Sequence, residues 1–435
     1  MKRALLLVVG AGGVVAAALL HLRRRRQVDL RQVRTSGKAS LQLLPLEQRM
    51  KGPPMSTITF FNGDITVATP FVMERVAAIL CLNPWLAGWI EGGTCYYDTD
   101  AADTASILHI FAAGEVTLGR DTPLSGMASA VASLLCSKGQ AGYGSPIFRV
   151  GLVPDERAPT TRFSLVVSMS HLIGDGATFY MVHNMLSSAA EPTALTAIRK
   201  PEMRPLIDEA LGEGKAVMFN PGFIANAVGG LAHASLLGKQ SAVRLFHINS
   251  KWVDSQKAAV KAAGSFVSTN DVITSWIFAR GGFELGCMAI NFRGKLPGVT
   301  SDLAGNYESL LFYRPADFAT AALVRASLLK LHRAASPPTK LPSSYEHLGM
   351  RCCTTTNWST FAETIELPGA MQTLHLPLYD ISAPFVPACG THAICVIFKP
   401  LAGKPLACMI IGSPHLLAAL PTQGELVGEP VNVKL

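Results

Sequence analysis

Between Arg162 and Met169 the chain alternates: Phe163, Leu165, Val167 and Met169 are apolar, with Arg162, Ser164 and Ser168 between them. A two-residue period predicts a half-buried β-strand. His171 falls on the apolar parity, so a strand continuing to it would point the imidazole inward. The run "PIFRVGLVP" precedes this strand across the polar turn "DERAPT", and together they predict a hairpin. "ATFYMVHNMLSSAA", just after, has helical spacing. Upstream, "STITFF" reads as a strand. "TPFVMERVAAILCL" reads as a helix, with Thr69 as N-cap and Pro70 in the first turn, ending before Pro84. "WLAGWI" then begins a strand-like piece.

The second half repeats the theme. "AVRLFHI" predicts a strand and "SKWVDSQKAAVKAAG" a helix. "NDVITSWIFARGG" predicts another helix, capped by Thr269 or Asn270. "GCMAINFRGKLP" and "ESLLFY" predict strands, and "HAICVIFKP" with "PLACMIIGSPH" a closing hairpin. Gly, Pro and Ala crowd the stretch from Glu191 to Lys239, as expected of a crossover between halves. Strands mixed with helices on both sides of that stretch predict an α/β protein of two lobes, each a mixed sheet with helices. The expected boundaries are 56–205 for the first lobe, 206–240 for the crossover and 241–435 for the second lobe.

Composition changes the picture mainly at the N-terminus. Ala4 to Leu20 is an uncharged apolar run followed by "HLRRRR". It lies at the short end of a bilayer-spanning length of about 20 residues. Arginines after the run outnumber the cations before it, which favours a single-pass anchor with the body on the cytosolic side, such as at the endoplasmic reticulum. A cleaved signal and an organelle presequence are the alternatives. The anchor and its basic flank are assigned to residues 1–26, and 27–55, polar and broken by "KGPP", to a linker. Six of the eight net positive charges lie in residues 1–26. The rest of the chain is close to neutral, which argues against a nucleic-acid surface. Nine cysteines without a CxxC pair suit neither a disulfide framework nor a zinc site, so no metal is expected. With 49% apolar residues the chain has ample material for large cores.

The candidate chemistry lies in "SMSHLIGDG". His171, Asp175 and Gly176 form an H-x-x-x-D-G between a predicted hairpin strand and a predicted helix. By itself this could be a buried histidine followed by an N-capped turn. In this setting, however, the motif resembles that of the HxxxD superfamily of CoA-dependent acyltransferases. That superfamily includes the BAHD enzymes, the wax ester synthases and chloramphenicol acetyltransferase. Other stretches fall in the matching order. "AAILCLNPWLAGWI" resembles the early BAHD helix and strand. "STNDVITSWIFAR", with Asn270 and Asp271, is similar to the N-D helix of the wax-synthase branch. "AINFRGKLPGV" and "LAGNY" resemble the BAHD segment that carries Arg293 and Asn306 here. There are departures: Ser170 replaces the first histidine of the wax-synthase branch, and "YDISAP" replaces the BAHD loop DFGWG, keeping Asp380.

The resemblance implies two chloramphenicol-acetyltransferase-like lobes with the site at their interface, and transfer of an acyl group from acyl-CoA to an alcohol. His171 is then the expected general base. Asp175 and Arg293 are expected as a bidentate strut across the lobes, and Gly176 as a position needing an unusual backbone angle or a close approach. Thr356, Asn357, Trp358 and Asn306 are the candidate oxyanion or substrate donors, with Asn270 and Asp271 on a second-lobe helix near the tunnel. Acyl-CoA is the expected co-substrate, with no permanent cofactor, a small lipophilic alcohol as acceptor, and a monomeric chain. A carrier-protein-dependent or N-acyl variant of the chemistry, and a silent membrane-tethered binding protein, remain the alternatives.

Overall fold

The computed structural model describes residues 38–49, 52–99, 104–137, 144–212, 217, 220–226, 229, 241–333, 340–381 and 390–435. The expected anchor at 1–26 and the start of the expected linker lie outside the described residues. The first half contributes β1 (Lys38–Gln42), β2 (Met55–Gly63), β3 (Trp89–Glu91), β4 (Thr94–Asp98), β5 (Leu108–Ile110), β6 (Phe148–Pro154) and β7 (Arg162–Met169). The second contributes β8 (Ala242–Ile248), β9 (Leu285–Asn291), β10 (Glu308–Tyr313), β11 (Cys352–Asn357), β12 (Ala370–Pro377), β13 (His392–Phe398), β14 (Ala407–Gly412) and β15 (Val427–Pro430).

These strands build two large mixed sheets, ordered β12-β2-β7-β6-β5 and β10-β9-β11-β13-β14-β8-β15, and a small antiparallel sheet β1-β4-β3. The expected hairpins form: β6 pairs antiparallel with β7, and β13 with β14. Strand β12 comes from the second half of the chain yet pairs antiparallel with β2, completing the sheet of the first lobe. The lobes are therefore stitched together by backbone hydrogen bonds as well as by side chains.

Strand β7 is not half-buried. It lies between β2 and β6, and every residue from Phe163 to Met169 is buried. Ser168 tolerates this because its hydroxyl pairs with Ser56 Oγ at 2.9 Å and accepts from the Cys136 N–H at 2.9 Å. The alternation therefore does not mark a wet face, since both faces of β7 are buried.

Helix α1 (Ile65–Leu82) starts earlier than its Thr69–Pro70 signal suggests, because Asp64 caps it by accepting from the Thr66 N–H at 2.8 Å. Pro70 sits inside this helix on its exposed side. By length and composition α1 could cross a bilayer, yet Ala68, Val72, Val76, Ile79 and Leu80 form a buried stripe that fixes it to the first lobe. Helix α2 (Gly176–Asn184) follows the HxxxDG turn. Helix α3 (Met203–Leu211) lies inside the expected loop-rich crossover and buries Ile207 and Leu211. In the second lobe α4 (Ser250–Ala262) is as expected. Helix α5 (Thr269–Arg280) is capped one residue before the expected positions, by Ser268, which forms a capping box with Asp271.

The expected linker is the largest departure. Its described part includes β1, which pairs with β4, and Glu47, whose surface is fully buried between the lobes. Polar composition suggested a loose tether. The charge at Glu47 is instead matched by a buried arginine far along the chain.

Candidate active site

Strand β7 ends two residues before His171, so strand parity does not aim this ring. A turn does so, closed by Ser170 N–H to Ile147 O at 2.8 Å and Ile173 N–H to Ser170 O at 3.1 Å. The His171 side chain keeps 23% of its surface accessible. Its Nδ1 lies 3.1 Å from Asn306 Oδ1.

The orientation of Asn306 is decided by what surrounds its other end. Its Nδ2 donates to Glu47 Oε1 at 3.1 Å and to the His171 carbonyl at 2.9 Å, both of which only accept. Oδ1 must therefore face the ring, and it too can only accept. Hence neutral His171 carries its proton on Nδ1, and Nε2 presents a lone pair. Glu47 holds the amide firmly: Oε1 also accepts from the Asn306 N–H at 2.9 Å, and Oε2 from the Leu44 N–H at 2.7 Å. Arg199 Nε lies 3.1 Å from Glu47 Oε2, and both side chains are almost wholly buried. Three of the four remaining Arg199 hydrogens go to Ala197 O, Ala304 O and Ile173 O, tying the turn after His171 to the loop before Asn306.

Asp175 and Arg293 meet, from residues 118 apart. The contact is a single one, Arg293 Nη1 to Asp175 Oδ2 at 2.7 Å, not the expected bidentate fork. The reason is competition. Asp175 Oδ1 caps α2 by accepting from the Thr178 N–H at 2.9 Å, while Arg293 Nη2 is drawn to Thr178 Oγ1 at 3.0 Å and Gly305 O at 2.9 Å. Arg293 Nε donates to Leu303 O at 2.8 Å and Nη1 also donates to Asn291 Oδ1 at 3.0 Å. All five guanidinium hydrogens thus have acceptors. Asp175 Oδ2 also accepts from the Tyr307 N–H at 3.0 Å. No hydrogen bond joins Asp175 to His171 among the described residues.

Gly176 adopts no positive φ, so the expected unusual angle is not needed. What it supplies is room: a Cβ there would lie 3.3 Å from Trp358 Nε1. Gly305 is the glycine whose backbone matters, with φ 139° and space limited to 3.1 Å by Arg199 and Tyr307.

The remaining candidates separate. Asn306 is not an oxyanion donor, because both of its amide hydrogens are engaged by Glu47 and His171 O. Asn357 and Asn270 come together, Nδ2 to Oδ1 at 3.1 Å, while Asn357 Oδ1 accepts from Ser359. Asp271 is engaged by its capping box and by Arg325 at 2.6 Å, so its carboxylate serves the helix. Thr356 is half-buried near the end of β11. Trp358 stacks on Tyr379 at 6.2 Å and meets Tyr180 edge-on at 5.9 Å. Behind them His375 bonds Thr59 Oγ1 at 2.8 Å and Tyr180 OH at 2.9 Å. Burial pushes His183 down to about 4 and His375 well below the usual histidine range, so both rings are neutral. The replaced loop is described only as far as Ile381.

Glu47, Arg199, Thr178 and Glu308 belong to the site without being legible as such in the sequence. Glu308 opens β10 with its Oε1 3.7 Å from His171 Nε2. Burial, then the charge of Asp175, pushes its carboxyl up to about 7, against the pull of His171 and Arg293. The only local signal was an acid two residues after Asn306, in an otherwise apolar strand. Among the described residues no group of three or more His, Cys, Asp or Glu side chains could hold a metal ion.

No protein-family model and no curated protein sequence matches the chain. Solved structures do. The crystal structure of Vinorine Synthase superposes with a TM-score of 0.58 at 13% identity, covering 92% of this chain and 95% of that one. F. graminearum TRI101 complexed with Coenzyme A and Deoxynivalenol gives 0.54 at 12% identity, over 87% and 96%. The first condensation domain of the calcium-dependent antibiotic synthetase, in complex with a substrate analogue, gives 0.51 at 11% identity, over 90% and 99%. Agreement over nearly the whole of each chain gives this protein the two-lobed fold that those three structures share.

Proposed function

We propose that the protein transfers an acyl group from acyl-CoA to the hydroxyl of a small, lipophilic acceptor, with His171 as general base. The observation that carries this reading is the Asn306 amide, fixed by Glu47, which puts the His171 proton on Nδ1 and leaves Nε2 as the basic atom. In the reaction Nε2 takes the acceptor O–H proton as the oxygen bonds to the thioester carbonyl carbon. The tetrahedral oxyanion collapses, the C–S bond breaks, and the proton passes from Nε2 to the departing thiolate. No covalent enzyme intermediate is required. Thr356 and the indole N–H of Trp358 are the candidate oxyanion donors. Asp175 and Arg293 act as a brace that presents the turn.

F. graminearum TRI101 is complexed with Coenzyme A and Deoxynivalenol together, which supports a CoA thioester and a small molecule as the paired ligands here. The uncharged run from Ala4 to Leu20, followed by four arginines, supports retention at a membrane with the body in the cytosol, and with it an apolar acceptor.

Incubating the purified protein with a panel of acyl-CoAs and alcohols, and following free thiol, tests the reading. Acceptor-dependent thiol release is expected, and His171→Ala should lower it by about 10²- to 10⁴-fold while the fold persists. Undiminished release in that variant overturns His171 as base. Thiol release that responds to amines and not alcohols would instead mark an N-acyl acceptor at the same Nε2.

A further inference from the structure

His171 has two faces with different neighbours. The Nδ1 side meets a neutral amide locked in one orientation. The Nε2 side meets the carboxylate of Glu308, brought from the other lobe by β10, with Oε1 at 3.7 Å. That separation is too long for a direct hydrogen bond and short enough for strong attraction to an imidazolium. Among the described residues nothing donates a hydrogen bond to this carboxylate, and a quarter of the side chain remains accessible. It is therefore a charge set beside the reactive nitrogen without a structural partner to explain it.

We propose that Glu308 is a positioning residue for catalysis, the counter-charge that stabilises the His171 imidazolium formed when Nε2 takes the acceptor proton. The inference rests on the reading of His171 as base. The path of the proton is unchanged: acceptor O–H breaks, Nε2–H forms, and the same proton later leaves with the thiolate. Glu308 acts only by its charge, which is greatest when the imidazolium exists.

The other titratable groups facing Glu308 are Asp175 at the start of α2, Arg293 after β9 and Tyr379 after β12. Asp175 raises the cost of the Glu308 anion and Arg293 lowers it. The Tyr379 hydroxyl is pushed up by burial and then by the Glu308 charge, so it is neutral. The working state is neutral imidazole beside ionised carboxylate. Activity should rise with pH as the Glu308 carboxyl, raised to about 7, ionises.

The test is Glu308→Gln, with Glu308→Asp as the conservative control. In Glu308→Gln the plateau of kcat/KM should fall by roughly 10- to 100-fold, and the rising limb should move to lower pH, since the carboxyl that ionises at about 7 is gone. Glu308→Asp should retain the limb and recover part of the plateau. Stability supplies an independent readout. A carboxyl raised to about 7 from an ordinary 4.5 contributes stability that is fully present below 4.5 and is lost as pH rises through 7. Glu308→Gln should therefore melt higher than the parent at pH 8, with the gap closing by pH 4.5.

An unmoved limb overturns the proposal whether or not the plateau falls, as does a lower melting temperature for Glu308→Gln at pH 8. A fully active His171→Ala overturns the base itself. Loss of activity in His171→Ala with an unaltered Glu308→Gln profile overturns only the counter-charge.

Discussion

Two buried carboxylate–guanidinium pairs flank the loop from Leu303 to Tyr307, and they do different work. Asp175 and Arg293 join the HxxxDG turn to the strand end of the second lobe, through Thr178 and Gly305, without touching His171. Glu47 and Arg199 also cross between segments, but their carboxylate grips Asn306, and Asn306 grips the imidazole. The motif aspartate is thus a brace, while the acid that fixes which ring nitrogen carries the proton comes from a segment that reads as a polar tether. Nearness in sequence to a reactive histidine is a poor guide to which acid controls it. The number of hydrogen-bonded links between the two is a better one.

The largest effect that could break this contrast is on stability. Asp175→Asn or Arg293→Met each strands a buried polar partner, and each should destabilise the protein by about 3–5 kcal/mol in denaturant melts. The double variant should lose less than the sum of the two. Strictly additive losses would mean that the pair does not act as a unit.

Glu47→Gln gives the second effect and separates the two pairs. It should destabilise too, since Arg199 loses its counter-ion. In addition, kcat per folded molecule should fall by roughly 10- to 100-fold, because a glutamine holds the Asn306 amide less firmly, leaving only the His171 carbonyl as an obligate acceptor. Asp175→Asn should lower kcat per folded molecule by less. Equal drops would place both acids on the same footing and erase the distinction.

Gly176→Ala should matter least, although it alters the motif itself. The added methyl meets Trp358 Nε1 at 3.3 Å, a contact the indole can yield to, and the φ at this position suits any residue. Stability should change by less than about 1 kcal/mol in a thermal melt. A larger loss would show that the Trp358 ring cannot shift against Tyr379 and Tyr180.

Much of the fold was legible because it is written at short range. The β6–β7 and β13–β14 hairpins announce themselves by apolar runs on either side of a polar turn, and α4 by its spacing. The N-caps of α1 and α5 were misplaced by up to five residues, since several Ser, Thr, Asn and Asp side chains compete for the role and only backbone geometry picks Asp64 and Ser268. The insertion of β12 beside β2 left no local trace, because a strand does not encode its partner.

The site divides in the same way. His171, Asp175, Gly176, Arg293 and Asn306 could be read from motif-sized stretches, and their side chains do gather at the lobe junction. What their neighbours do could not be read. Asn306 and Glu47 lie 259 residues apart, and only their contact turns a candidate oxyanion donor into the group that orients the imidazole. By itself the sequence determined the periodicities, the turn after β7 and the chemical type of the candidate base, because these depend on residues close along the chain. The tertiary structure alone decided which nitrogen of His171 is basic and which carboxylate faces it. Hydrogen bonds and charge act through a few ångströms of space, and the chain brings those atoms together only when it is folded.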